Sequence, residues 1–247
     1  MIVEIEDFKV LQKCIKEYKA ICGIIGNILD APSKGGNVSV KDGDYLIIKS
    51  SGENLKEDHK ISILYGGINK YSFYRDDFCL RVTKPSMEVG MHLVFKNKYV
   101  AHYHPAYVLP YLCSKDYVFK DKFNVVEFAL PGNDLCRQLT NHYKYEEKGV
   151  LMLRNHGVVL YSEKIEDLLY LYKEVKSEFF EKSNFLYTPD DVVDSESFEL
   201  WLFRNSIENI ASKKGLDLTT LSQSVIKELL NLPDEKYRKN KIESDKA

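Results

Sequence analysis

Between residues 8 and 25 apolar side chains recur at steps of three and four, at Phe8, Leu11, Ile15, Tyr18, Cys22 and Ile25. That period lays one helix face against a core and predicts a helix over about residues 7–29, with Asp7 placed to cap it. The segment A-P-S-K-G-G-N then marks a loop. VSVKDGDYLIIKSSG (38–52) reads as two short strands around a Lys-Asp-Gly turn, a hairpin framed by two small-residue loops. KISILYGG (60–67) and KYSFYRDDF (70–78) continue as strand, with Ile, Tyr and Phe interleaved with polar residues.

From Pro85 the spacing of Met87, Met91, Val94 and Phe95 turns helical again, with Pro85 and Ser86 suited to a first turn. Glu88 and His92 then lie four apart on one face. YVAHYHPAYV (99–108) alternates and is stopped by Pro105, so a short strand would deliver His102 and His104 on one face to an edge or cleft. NVVEFALPGNDLCRQLTNHY (124–143) predicts a short strand, a Pro-Gly turn and a helix. GVLMLRNHGVVLYS (149–162) gives two apolar strand halves interrupted at Asn155-His156-Gly157.

From about Ile165 the chain reads as largely helical, through IEDLLYLYKEVKSEFFEKS (165–183) and SFELWLFRNSIENIASKKG (197–215). It closes on a charged tail, DEKYRKNKIESDKA (234–247), expected to be solvated. No internal repeat or low-complexity tract is present. The simplest partition is one α/β or α+β catalytic domain over residues 1–210 and a helical C-terminal extension over 211–247.

Composition narrows the partners. A net charge of −2, from 35 basic and 37 acidic residues, supplies no field to hold a polyanion, so neither nucleic acid nor a membrane surface is an expected partner. Five cysteines without a C-x-x-C pair fit free, packed thiols in a reducing compartment. The opening MIVEIEDFKV is acidic where a secretory leader would be basic, and no apolar run approaches the roughly 20 residues of a membrane span. A cytoplasmic location is the expectation.

The candidate chemistry gathers on histidines. Two of them separated by one residue on a strand project to the same side, which lets His102 and His104 reach one cation at about 2.0–2.1 Å. The short pattern also arises by chance. His156 supplies a third nitrogen where buried strand is broken by a polar group and a glycine; taken alone it reads equally as a core histidine bonded to a carbonyl. Three imidazoles leave coordination positions open and the cation's double charge uncompensated, as suits chemistry that builds negative charge on a hydroxy-ketone. Such ligands suit zinc, manganese or cobalt. Glu88 is the candidate acid/base, although by itself it reads as a surface helix carboxylate. The loops Lys34-Gly35-Gly36-Asn37 and Lys49-Ser50-Ser51-Gly52, with Ser86, could cradle an oxyanion or be ordinary turns.

Taken in order, GGNVSV (35–40), KSSG (49–52), PSMEVGMH (85–92), HYHP (102–105) and RNHGVV (154–159) resemble the class II aldolase/adducin family over most of the first 175 residues. The likeness is to its zinc-containing enzymes, such as the fuculose- and rhamnulose-phosphate aldolases, more than to adducin's non-enzymatic head. It implies a three-layer α/β fold with a mixed, largely antiparallel central sheet flanked by helices, and commonly a homotetramer. By motif position it implies His102, His104 and His156 as zinc ligands, Glu88 as acid/base, and Gly36, Asn37, Ser51, Gly52 and Ser86 as the phosphate-binding set. The implied substrate is a small phosphorylated ketose cleaved or formed through an enediolate. Dehydration, decarboxylation or 4-epimerisation of a related sugar or keto-acid phosphate is the alternative. The chain departs from the pattern at Ser86-Met87, where many sugar-phosphate aldolases carry two small hydroxyl residues. His102 follows Glu88 by only 14 positions, shorter than in fuculose-phosphate aldolase and closer to the aldolase halves of bifunctional rhamnulose-phosphate enzymes, here with no dehydrogenase half expected. Residues such as Tyr107 or Tyr111, or groups of a neighbouring subunit, are candidates to touch the far end of the substrate.

Overall fold

A computed structural model describes residues 5–55, 60–66, 69–73, 83–120, 122–179 and 198–246. Among these, eight strands form one sheet in the order β4-β3-β2-β1-β5-β8-β7-β6. They are β1 (Asn37–Asp42), β2 (Tyr45–Lys49), β3 (Ile61–Tyr65), β4 (Asn69–Phe73), β5 (Tyr99–Tyr103), β6 (Asn124–Val126), β7 (Lys148–Leu153) and β8 (Gly157–Ser162). Every pairing is antiparallel except β6 with β7. The mixed, largely antiparallel sheet read from the resemblance is the one observed. The parts of 70–78 and 165–183 that lie in 74–78 and 180–183 fall outside the described residues, as does Cys79.

Period-2 alternation divides the central strands between two cores. On β8, Val158 and Leu160 join a large cluster that also takes in Leu11, Tyr18 and Ile21 of helix α1 (Ile5–Ile25) and Leu168 and Leu171 of α5 (Ile165–Phe179). Val159 and Tyr161 turn the other way. They meet Met91 and Phe95 of α2 (Val89–Val94) and its flank, and Leu135 and Leu139 of α4 (Asn133–His142). A strand whose six residues are all buried therefore has helices on both faces, the three-layer α/β arrangement. Each fully buried aliphatic side chain contributes about 1.5–3 kcal/mol relative to leaving it in water. Cys14, Cys22 and Cys113 are buried free thiols, with burial raising Cys14 to about 11 and Cys22 to about 12, as packing residues require. No helix among the described residues is long and apolar enough to cross a membrane.

Three elements differ from the sequence reading. Helix α1 begins at Ile5, ahead of Asp7, and ends at Ile25, where Gly26 lets the Leu55 carbonyl approach: a Cβ there would lie 2.2 Å from it. The helix expected from Pro85 begins only at Val89: residues 84–86 are held to the loop after β2 by Ser86 N–H to Lys49 O (2.9 Å) and Ser51 N–H to Lys84 O (2.8 Å). The two apolar halves around Asn155-His156-Gly157 are not one broken strand but an antiparallel hairpin, β7 and β8, with Leu153 opposite Gly157. Asn155 makes the reversal at φ 51°, a left-handed conformation that Asn tolerates better than most residues.

The C-terminal region carries α3 (Leu109–Cys113) against α6 (Phe198–Lys214), then α7 (Gln223–Asn231) and α8 (Pro233–Lys246). The charged tail is mostly the helix α8, whose own Glu235 and Ile242 are buried, so it is docked along one face rather than solvated all round.

Candidate active site

The hairpin turn at 154–156 is pinned from below. Arg154 donates from its guanidinium to the carbonyls of Tyr111 (3.2 Å), Ser114 (3.0 Å) and Tyr117 (2.8 Å), and Asn155 donates to Thr219 O (2.9 Å). This holds His156 beside the end of β5. Gly157 is what lets the rings close up, since a Cβ there would lie 2.4 Å from Tyr103 O and 2.7 Å from His104 Cδ2. One potential ligand atom from each of His102, His104 and His156 lies within 4.8 Å of the others, and all three side chains are buried. The ring centroids of His102 stand 4.7 Å from those of His104 and 4.8 Å from those of His156.

The donor set fits a divalent cation. His102 Nδ1 lies 3.1 Å from Val158 O, so it carries the proton and Nε2 keeps its lone pair. That lone pair points at His104 Nε2, 2.9 Å away, in the small space the rings share. Burial pushes His102 well below the ordinary histidine range, which keeps it in the neutral form a metal ligand needs.

Glu88, immediately before α2 and 6% exposed, faces the same space. Its Oε1 stands 3.1 Å from His156 Nε2 and its Oε2 3.5 Å from His102 Nε2. Burial opposes its charge, but the imidazoles of His102, His156 and His104 outweigh that and hold the carboxyl well below the usual carboxylate range. The Asn37 amide donates to Oε2 at 2.7 Å. Behind it His92 bridges β1, with Nε2 in short contact with Asn37 Oδ1 and Nδ1 2.7 Å from Ser39 Oγ. The strand register explains this: Asn37 sits opposite His102 and Ser39 opposite Val100, on the face α2 covers. Sequence reading placed His92 on the helix face of Glu88 and gave it no role; the polar alternation Asn37, Ser39 between Val38 and Val40 was the available signal.

A cleft of about 450 Å³, partly open to solvent, extends from this corner. Gly36, Asn37, Ser51, Gly52, Ser86 and Glu88 all line it, together with His104 and His156. The two small-residue loops and Ser86 are thus brought to one end, as their hairpin connection suggested. Gly36 and Gly52 adopt φ 67° and 74°, conformations glycine reaches without strain. Met87 also lines the cleft. Lys49 does not extend into it as a free arm: its ammonium donates to Lys34 O (2.6 Å) and Gly35 O (3.3 Å), fixing the first loop. Tyr107 and Tyr111 belong to the large core, with the Tyr111 ring packed on Tyr117 and Phe179, so within one chain neither reaches the cleft. Glu235 and Arg238 of α8 line the cleft and were not singled out in the sequence, because a single isoleucine, Ile242, is the apolar mark of that face.

A three-layer fold with three buried imidazoles and a carboxylate at the mouth of a glycine- and serine-lined cleft defines a metal-site α/β protein of the class II aldolase type. The family model of the class II aldolase and adducin N-terminal domain matches residues 31–178, and the chain belongs to that family. Its aldolases are metal-dependent. Similar solved structures share the fold at low identity. The N-terminal class II aldolase domain of a conserved protein from Thermoplasma acidophilum is 19% identical, with TM-score 0.51, covering 66% of this chain and 90% of that one. L-fuculose 1-phosphate aldolase from Glaciozyma antarctica PI12 is 10% identical with TM-score 0.51, covering 99% and 93%. YgbL from Klebsiella pneumoniae, provisionally described as an aldolase/epimerase/decarboxylase, is 17% identical with TM-score 0.50, covering 88% and 98%. No curated protein matches the sequence at a significant level.

Proposed function

We propose that this protein is a divalent-metal-dependent aldolase, with zinc as the expected ion and manganese or cobalt as substitutes, that cleaves or forms a carbon–carbon bond in a small phosphorylated ketose. His102, His104 and His156 would hold the ion, which when bound supplies the positive charge that steadies negative charge developing on substrate oxygens. The observation that carries the reading is the Glu88 carboxylate, 3.1 and 3.5 Å from two of those imidazoles at the inner end of the cleft.

The chain's own residues divide the remaining work. In the bond-forming direction Glu88, ionised and aimed by Asn37, takes a proton from the carbon beside the ketone and the aldehyde oxygen gains one as the new bond forms. In cleavage the hydroxyl proton leaves, the carbon–carbon bond breaks and Glu88 returns a proton to the freed carbon. Gly36, Ser51, Gly52 and Ser86 form the oxyanion end of the cleft that receives the phosphate. Burial of the triad and of Glu88 keeps bulk water away from the carbanion equivalent. The catalytic domain spans 1–210, and the extension 211–247 supplies one wall of the cleft; a homotetramer in the cytoplasm is the proposed assembly and location. Dehydratase, decarboxylase and 4-epimerase reactions develop the same negative charge beside the ketone and differ in the bond that is broken to reach it and in the group at the far end of the substrate.

The test is turnover of ketose 1-phosphates by metal-loaded protein, read as released aldehyde. Glu88→Gln is expected to keep its metal and lose turnover by about a hundredfold or more. Full activity in that variant would overturn the role of Glu88, and water loss or an epimer without aldehyde would replace the aldolase reading with a neighbouring one.

A further inference from the structure

The C-terminal helix is tied to both loops that shape the oxyanion end of the cleft. Asp234, Glu235, Arg238, Lys241 and Ile242 recur at steps of one, three and four, on one face of α8. Asp234 pairs with Lys84, two residues before Ser86. Lys241 pairs with Glu53, next to Gly52, and its stem lies where a Cβ on Gly52 would be, with Cδ 2.7 Å from that point. The Lys84 ammonium also sits 5.4 Å from the Tyr237 ring centroid. Each pair alone is a weak tie. Together with buried Ile242 they fix the rotation of the helix, and Arg238 lies midway between them, in the wall of the cleft.

Charge at that wall is arranged around Arg238. Its side chain is 11% exposed, and Nη1 stands 3.7 Å from Oε2 of Glu235, itself 2% exposed. A carboxylate buried in the wall of an oxyanion pocket would repel the ligand unless a cation stood with it. Glu235 instead serves to orient the guanidinium and keep it against the cleft. Of the two loop cations, Lys49 has its ammonium on the carbonyls of Lys34 and Gly35, while Lys34 lines the cleft on the side of the first loop, away from α8 in sequence. A guanidinium is also the better match, since its planar fork meets two oxygens of a phosphate or carboxylate at once.

We infer that Arg238 is the anion-binding residue of the cleft, contributed by the C-terminal extension and closing the cradle that Gly36, Ser51, Gly52 and Ser86 form from the other side. This rests on the reading of the cleft as a site for a phosphorylated ketose. It also assigns a function to α8: the helix sets which substrates are held by requiring a terminal phosphate or carboxylate.

The experiment measures binding of dihydroxyacetone phosphate, dihydroxyacetone and inorganic phosphate to the zinc-loaded full chain by calorimetry, for wild type, Arg238→Ala, Arg238→Gln and Arg238→Lys. Wild type should prefer dihydroxyacetone phosphate over dihydroxyacetone, and Arg238→Ala should narrow that preference by about tenfold or more, with dihydroxyacetone affinity and zinc content unchanged. Arg238→Lys should recover part of it. Should the alanine variant fail to fold, Arg238→Gln retains the length of the side chain and carries the same expectation. An unchanged preference in a folded Ala or Gln variant overturns the inference and leaves the proposed reaction standing. A wild type that does not distinguish the two ligands overturns both the phosphate site and Arg238's part in it. A wild type that shows the Arg238-dependent preference yet cleaves no ketose phosphate supports the inference and sinks the aldolase reading alone.

Discussion

Asn37 donates its side-chain amide to Glu88 Oε2 at 2.7 Å, and the carbonyl end of the same side chain takes the Nε2–H of His92. With the Ser39 hydroxyl 2.7 Å from His92 Nδ1, this makes a directed chain from β1 through α2 to the carboxylate. Each link fixes the next. Ser39 donates to Nδ1, so Nε2 carries the proton, so the Asn37 oxygen faces His92 and its NH₂ faces Glu88. The amide that the resemblance placed among phosphate ligands is directed in this structure at the acid/base. Asn37→Ala should therefore keep stoichiometric metal while kcat falls by about tenfold to a hundredfold, in the manner of supporting residues around metal sites. Metal analysis beside steady-state kinetics checks it; a variant whose KM for the phosphorylated substrate rises while kcat holds would return Asn37 to phosphate binding.

The chain also sets a pH dependence. Burial lowers His92 from its ordinary 6.5 to about 3. As pH falls through 6.5 the unfolded chain takes up this proton and the folded one does not until about 3. Stability contributed by keeping His92 neutral is thus fully present above 6.5 and is lost progressively between 6.5 and 3. Burial shifts His102 in the same direction, so it adds to the loss as pH falls below 6.5. In metal-free protein the urea midpoint should drop across this range, and His92→Gln, which cannot titrate, should show a shallower drop than wild type. Equal slopes would mean that His92 is protonated in the folded state.

Gly157 offers a test of the triad that touches no ligand. An alanine there would place its Cβ 2.4 Å from Tyr103 O and 3.2 Å from His102 Cε1, with backbone that cannot yield. Gly157→Ala should cost about 1–3 kcal/mol of stability as an overpacked core position does, and lower metal affinity with all three histidines intact. Thermal denaturation and metal titration read the two effects separately. Wild-type metal affinity in a destabilised variant would show that the rings do not depend on this close approach.

Much of this site was legible before folding, and for a physical reason. His102 lies on β5 and His104 just past its end, two residues on, and Glu88 stands immediately before a short helix that carries His92 four residues later, so local pattern and chemistry agreed. The hairpin at His156 was hidden because β7 and β8 are apolar on both faces. Without alternation, a fully buried strand pair and one interrupted strand read alike, and only the left-handed turn at Asn155 separates them. Helix α8 was hidden for the opposite reason. Its inward face is written in charges, Asp234, Glu235, Arg238 and Lys241, whose partners Lys84 and Glu53 lie about 150 and 190 residues away, and the usual apolar signal of a docked helix is a single isoleucine. The position of Pro85 was misjudged because its bridge to Ser50 is a tertiary contact that local propensity does not register.

Metal removal gives the most direct measure of the triad. His104 Nε2 and His102 Nε2 are 2.9 Å apart, and Nδ1 of His102 is committed to Val158 O, so Nε2 is the His102 nitrogen that faces the shared space. A cation held there by three nitrogens in a buried space binds the folded state far better than the unfolded chain, which does not bring them together. At a free concentration of 100 times its Kd, such an ion adds about 2.7 kcal/mol, which for a chain of this size raises Tm by about 5–10 °C. Chelated protein should therefore melt lower, and zinc, cobalt or manganese should restore it to different extents. His104→Ala should abolish the response, because with only two imidazoles left the third corner of the site is empty carbon. A chelator-insensitive Tm in wild type, or a full zinc response in His104→Ala, would remove the metal from this corner of the fold and with it the reason for three buried histidines to meet there.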